Sequence, residues 1–273
     1  MLRSAPFMAF LVLGASGSSH LYAQKFVPGC SLPWASISES HPIDRSCANS
    51  GLSKVPAKVA ESRAKNNLCV AGNPTGIDYE TLTELQDGVD TDQSIHLGDR
   101  NTPSRPTRKY ATSKGDLGEG DLVRFAAWVL LAKNSNTSGG ENVNCSKSGI
   151  ENNDIHLVLA KLVDHADLDE DQCHSVTGEA IPHFRPSSWS SVNINSFRDH
   201  PFLFTGPLFL DSDHMPCRSD GTGGSPDRAS VWEIHPVYDI EICKFTSVAK
   251  CSPTSKTAWV AFDNWVGEAE PRK

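Results

Sequence analysis

The sequence predicts a mainly β protein whose C-terminal part is an OB-like five-stranded barrel, with a β-sandwich as the alternative and a small helical, cysteine-containing region in front. Three observations carry this expectation. From Glu119 onward, short runs alternate apolar and polar residues, the period of strands with one buried face. There are five such runs, and a helical segment falls between the third and the fourth, the element order of an OB-type barrel. All 8 cysteines lie beyond the first 24 residues, and an even count in an exported chain reads as a disulfide framework.

Residues 1–23, MLRSAPFMAFLVLGASGSSHLYA, hold one basic residue, Arg3, then an apolar run from Pro6 to Gly14, then small and polar residues up to Ala23. That is the order of a secretory signal peptide. The apolar run is too short to anchor in a bilayer. We therefore expect cleavage after Ala23 and a secreted or periplasmic protein without a membrane span. Loss of Arg3 with the leader takes the formal charge of the 273-residue chain from −8 to −9. Non-specific nucleic-acid binding needs dense basic patches, and none is present.

Residues 24–118 form the expected N-terminal helical and irregular region with its connector. One helix is read over 56–68, opened by Pro56, with Val59, Ala60, Ala64 and Leu68 on one stripe; a second runs from its N-cap Asp78 to Gly88. Val89 to Lys114 lacks apolar periodicity and reads as an extended connector. Residues 119–273 form the expected barrel domain with a C-terminal extension. Its first strand, 120–133, places Val123, Phe125, Ala127, Val129 and Leu131 on one face, and the second, 153–160, does the same with Ile155, Leu157 and Leu159. The third covers 173–182, a short helix follows Pro186 within 186–197, the fourth covers 201–213 with a bend at Gly206 and Pro207, and the fifth covers 230–243. A strand-like piece in the tail, KTAWVAFDNWVGE, is expected to cover a barrel edge. Disulfides are expected between Cys145 and Cys173 and between Cys217 and Cys243, because each pair flanks segments expected to be neighbouring strands.

The stretches KNNLC, GEGDLVRFAAWV, GGENVNC, ENNDIHLVL, CHSVTGEAIPHFRPSSW, LFLDSDHMPC and SVWEIHPVYDIEIC, taken together, resemble a group of uncharacterised exported bacterial proteins. The resemblance covers most of the mature chain. It implies export and an intact protein, and it brings no activity, cofactor or substrate.

Two strands carry candidate chemistry. Asp154 and His156 project together from the second strand, and Glu233 and His235 from the fifth. Two imidazoles and two carboxylates would suit zinc or a related divalent ion. The same groups could work without metal, His156 or His235 acting as general base and a carboxylate such as Glu233 orienting it. A plainer alternative is that they are polar outer positions of half-exposed strands. The usual OB order, 1-2-3-5-4-1, puts the third strand between the two pairs. AIPHFRPSSW offers His183, Arg185 and Trp189 for an anion, a sugar or a nucleobase, or else as a barrel corner. DSDHMPC offers Asp211, Asp213 and His214 just past a strand end. Asp167, Asp169 and Asp171 begin like a calcium loop, but Gln172 and Gly178 stand where an EF-hand needs Gly and Glu. No GxSxG, HExxH, P-loop or GxGxxG signature is present. These observations favour an exported binding or interaction module with an unknown envelope or extracellular ligand. A metal-dependent hydrolase, of phosphodiesterase or nuclease type, is the alternative.

Overall fold

Two proline-opened helices, α1 (Pro42–Ser46) and α2 (Pro56–Lys65), come first in the computed structural model, which describes residues 42–98, 108–164, 172–218, 220–221 and 223–269. The expected leader, Cys30 and the acidic loop with Asp167, Asp169 and Asp171 lie outside the described residues. Helix α2 ends three residues earlier than expected. Its buried face is polar: Ser62 and Lys65 are buried, while Val59, Ala60 and Ala64 are only half-buried. The helix roofs a polar cavity, so its apolar stripe does not mark the side that packs.

Strand β1 (Thr75–Ile77) leads into α3 (Tyr79–Thr91), which starts where expected. Asp78 accepts from the Thr81 amide at 3.0 Å, and the Thr81 hydroxyl accepts from the Asp78 amide, a capping box. The helix runs past Gly88. A Cβ at Gly88 would sit 2.5 Å from the Tyr110 ring, so this glycine marks a close approach and not a helix end. The expected connector holds a hairpin, β2 (Lys109–Thr112) with β3 (Gly115–Gly118). Strand β2 buries neither face fully, which is why no apolar period announced it.

The barrel follows: β4 (Leu122–Asn134), β5 (Ile155–Ala160), β6 (Ser175–Ala180), the short helix α4 (Ser191–Ser196), β7 (Phe202–Leu210) and β8 (Trp232–Ile234). Antiparallel pairs β4–β5, β5–β6, β8–β7 and β7–β4, with the parallel pair β6–β8, close a five-stranded mixed barrel in the 1-2-3-5-4-1 order. Strand β9 (Asp239–Cys243) adds to β7, β10 (Trp259–Ala261) adds to β9, and β1 adds in parallel to β4. The interior is filled by Phe125, Val129, Ile155, Leu157, Leu159, Val176, Phe202, Phe204, Trp232 and Ile234, and Leu82, Leu85 and Val89 of α3 join the same core.

Two expectations about elements need correction, while the strand-like piece expected in the tail is present as β10. The fifth strand is two, because Pro236 has no N–H to continue the ladder after β8. A bulge between Val129 and Leu131 shifts the alternation of β4, so Ala132 and not Leu131 joins the main core. The tail turns from β10 directly into a helix, α5 (Phe262–Ala269), which buries Phe262 and Val266.

The cysteines are bonded, but not as expected. The bridges are Cys47–Cys145, Cys173–Cys217 and Cys243–Cys251, and Cys69 is also disulfide-bonded. Cys145 precedes the start of β5, whereas Cys173 sits beside its end, where Ala160 pairs with Ser175. Cys217 follows the end of β7, whereas Cys243 lies beside its start, its amide bonded to the Pro201 carbonyl. Each expected pair thus lies at opposite ends of a strand, beyond the reach of a bridge.

Candidate active site

Side chains alternate across a strand, so the residues that do not fill the barrel point outward. On the wall formed by β5, β6 and β8 those outward residues include His156, Glu179 and Glu233, with Asp154 and His235 next to the strand ends. Of these, Asp154, Glu233 and His235 are buried and at most 2 % exposed, and His156 is 8 % exposed. The half-exposed outer wall considered from the sequence is therefore not what the fold makes. The wall is covered by α2 and by the loop after β4, whose Asn142 bonds Ser62 and whose Cys145 is tied to Cys47.

The two sequence-identified pairs meet through a residue that was not singled out. Glu179 on β6 is in register with His156 on β5, and β6 runs beside β8, with Thr177 opposite Glu233. The third strand does separate the two pairs, and its own outward carboxylate fills the gap. One Glu179 oxygen lies 3.1 Å from His156 Nδ1, and the other lies 3.0 Å from His235 Nδ1. His235 Nδ1 is also 3.3 Å from Glu233. Glu233 accepts from Arg228, Arg228 donates to Asp211 at 3.0 Å, and Asp211 lies 2.6 Å from His214 Nδ1. The result is an alternating chain of acids and bases: His156, Glu179, His235, Glu233, Arg228, Asp211, His214.

Both ends of this chain line one cavity of about 670 Å³, together with Lys65 and Ser62 of α2, Glu141 and Asn142 of the covering loop, and Asp213 at its mouth. Asp213 is held by Lys58 at 2.8 Å, which also pairs with Glu61. Because Nδ1 of each terminal histidine faces a carboxylate, that nitrogen carries the proton. In both His156 and His214, Nε2 is left without a protein partner among the described residues.

Burial and pairing tune these groups. Burial opposes charge on His235, yet the Glu179 and Glu233 carboxylates outweigh it and push the imidazolium up to about 10. Burial likewise opposes ionisation of Glu179, and the two histidines reverse this and hold it well below the usual carboxylate range. The hydrogen bond to Asp211 raises His214. Asp154 lacks such a partner. Burial, with repulsion from Glu179 and Glu141, pushes it up to about 7.

Among the residues expected to hold a metal, Asp154 and His235 do come together, with Glu179; the three offer ligand atoms within 4.8 Å of one another. Glu233 and His156 do not belong to that group. Asp154 Oδ2, His235 Nε2 and Asn144 Oδ1 are buried there without hydrogen-bond partners. Asn144 is 1 % exposed and donates to Asp154 at 3.2 Å.

Of the residues proposed for ligand binding, Asp213 and His214 line the cavity. His183, Arg185 and Trp189 line a separate recess of about 30 Å³. There His183 Nδ1 lies 2.8 Å from Asp44, Arg185 donates to the carbonyls of Asn153, Ala180 and Ile150, and Trp189 joins the main core. Sequence reasoning missed Lys65, Glu179 and Arg228. Only Glu179 left a signal: in the third strand it alternates with the core residues Val176 and Ala180 in the manner that singled out Asp154 and His156.

Comparisons with protein-family models, with curated proteins and with solved structures find nothing that matches this chain.

Proposed function

We propose that the protein is an exported, disulfide-stabilised enzyme of the hydrolase class, which binds a small polar substrate in the cavity on the barrel's outer wall and acts on it by acid–base catalysis. The observation that carries this reading is the seven-residue chain ending in two histidines on one cavity. Burying so many charges is costly unless each is paired, and strongly perturbed ionisable groups gathered in a cleft are a mark of function. In this reading His156 Nε2 takes a proton from the attacking water, and the imidazolium of His214, held charged by Asp211, gives a proton to the leaving atom. Glu179 and Asp211 orient the two rings. Export rests on the leader-like start and the disulfides.

The test is hydrolysis of p-nitrophenyl acetate, p-nitrophenyl glucoside, p-nitrophenyl phosphate and bis(p-nitrophenyl) phosphate by disulfide-intact protein in the presence of a chelator. Turnover of at least one substrate that falls about 10²-fold or more in His214→Gln is expected. No turnover of any class would overturn catalysis and leave a binding module.

A second reading, a metal-dependent hydrolase, is favoured by the approach of Asp154, Glu179 and His235. There a bound ion would displace the proton that His235 shares with two carboxylates. Elemental analysis of protein purified without a histidine tag separates the two: stoichiometric zinc, manganese or calcium supports the metal reading.

A further inference from the structure

Lys65 closes α2 directly over the cavity. It is 8 % exposed and lines the cavity wall, yet its ammonium has neither an ion pair nor a hydrogen bond among the described residues. The ammonium stands over the Phe209 ring, 5.4 Å from its centroid. Burial disfavours the charge, but Asp211, Glu141, Glu179 and Glu233 lie near enough to hold the amine protonated. Each of those carboxylates is already engaged elsewhere. Asp211 is bound by Arg228 and His214, Glu179 by two histidines, Glu233 by Arg228 and His235, and Glu141 by Asn136. An ammonium nine-tenths buried needs acceptors for its three N–H groups. Here those acceptors must come from whatever enters the cavity.

We infer that the cavity binds an anionic phosphate group, as the reacting part of a phosphate ester, with Lys65 as its counter-ion, His214 as its flanking donor and the Nε2 of His156 left to the attacking water. This deepens the catalytic reading and rests on the same cavity. The three N–H groups of Lys65 on α2 and the Nε2–H of His214 on the turn after β7 converge from two elements, which suits a tetrahedral group with several oxygens better than a flat carboxylate with two.

The experiment is titration of chelator-treated wild-type protein and Lys65→Met with inorganic phosphate, followed by calorimetry, with formate and choline as controls. Phosphate is expected to bind the wild type, formate more weakly and choline not at all, and Lys65→Met should weaken phosphate by about tenfold or more. Should Lys65→Met fail to fold, the Lys65 ¹³Cε resonance of the wild type reports the same contact and is expected to shift with phosphate only. Unchanged phosphate affinity in a folded Lys65→Met, an unmoved Lys65 resonance, or preference for choline would overturn the inference. The two proposals fail separately: Lys65-dependent phosphate binding without turnover of any ester removes catalysis alone, and turnover of acetate or glucoside without phosphate binding removes this inference alone.

Discussion

Glu179 holds two histidines with its two oxygens, its side chain is 12 % exposed and that of His235 is 0 % exposed, so the Glu179–His235 pair is a buried one. Breaking a buried pair by deleting one charge costs about 3–5 kcal/mol, whereas partly exposed pairs contribute about 0–1 kcal/mol. Glu179→Gln is therefore expected to lower unfolding stability by about 3 kcal/mol, and Glu241→Gln, which loses a half-buried pair with Arg124, by under about 1 kcal/mol. Denaturant unfolding of the two variants measures the difference, and equal losses would contradict the burial argument. His214 supplies the pH dependence. Its folded value is raised above 6.5 by the bond to Asp211, so the stabilisation is fully present below about pH 6.5 and fades as pH rises through the folded value. The penalty of His214→Asn should be larger at pH 5.5 than at pH 9. The reverse order would mean that His214 is not held as imidazolium.

Elements were legible where their job was apolar. The inward faces of β4, β5 and the fifth-strand segment could be read because burial against a common core imposes a period of two, and the pairing order followed from the order of the runs. Illegible were the elements whose job is polar or steric. Helix α2 turns Ser62 and Lys65 inward because it covers a cavity, the β2–β3 hairpin turns a single cross-strand pair, Tyr110 and Leu117, to the core and so shows no apolar period, and Gly88 looks like a helix stop although it is a seat for Tyr110. That glycine yields a prediction opposed to propensity. Alanine is worth about 1 kcal/mol over glycine inside a helix, yet Gly88→Ala should destabilise by about 1–3 kcal/mol, because the methyl group meets the Tyr110 ring. Pairing the substitution with Tyr110→Ala should remove the clash, so that Gly88→Ala becomes neutral or stabilising in that background. The site was half legible for a related reason. The D-x-H and E-x-H pairs announce themselves, but the link between them, Glu179, matters only once β6 is known to lie between β5 and β8.

At the scale of the molecule, one barrel wall is turned into a site by a roof that the rest of the chain supplies. The Cys47–Cys145 bridge spans 98 residues of sequence and fastens α1 to the loop covering the wall. Replacing both cysteines by serine is expected to cost about 2–5 kcal/mol of stability and to weaken any cavity ligand, since the covering groups Asn142 and Glu141 lose their anchor. Replacing Cys243 and Cys251, which close only a short turn away from the cavity, should leave such a ligand unaffected. The central claim is that His156 and His214 act as one acid–base unit on one cavity. Its most direct test is the rate of ester hydrolysis, in chelator, by wild type, His156→Gln, His214→Gln and the double variant. The predicted result is a loss of about 10²-fold or more in each single variant, with little further loss in the double, as for residues that act together. Full activity in either single variant, or activity that returns only with an added divalent metal, would contradict it.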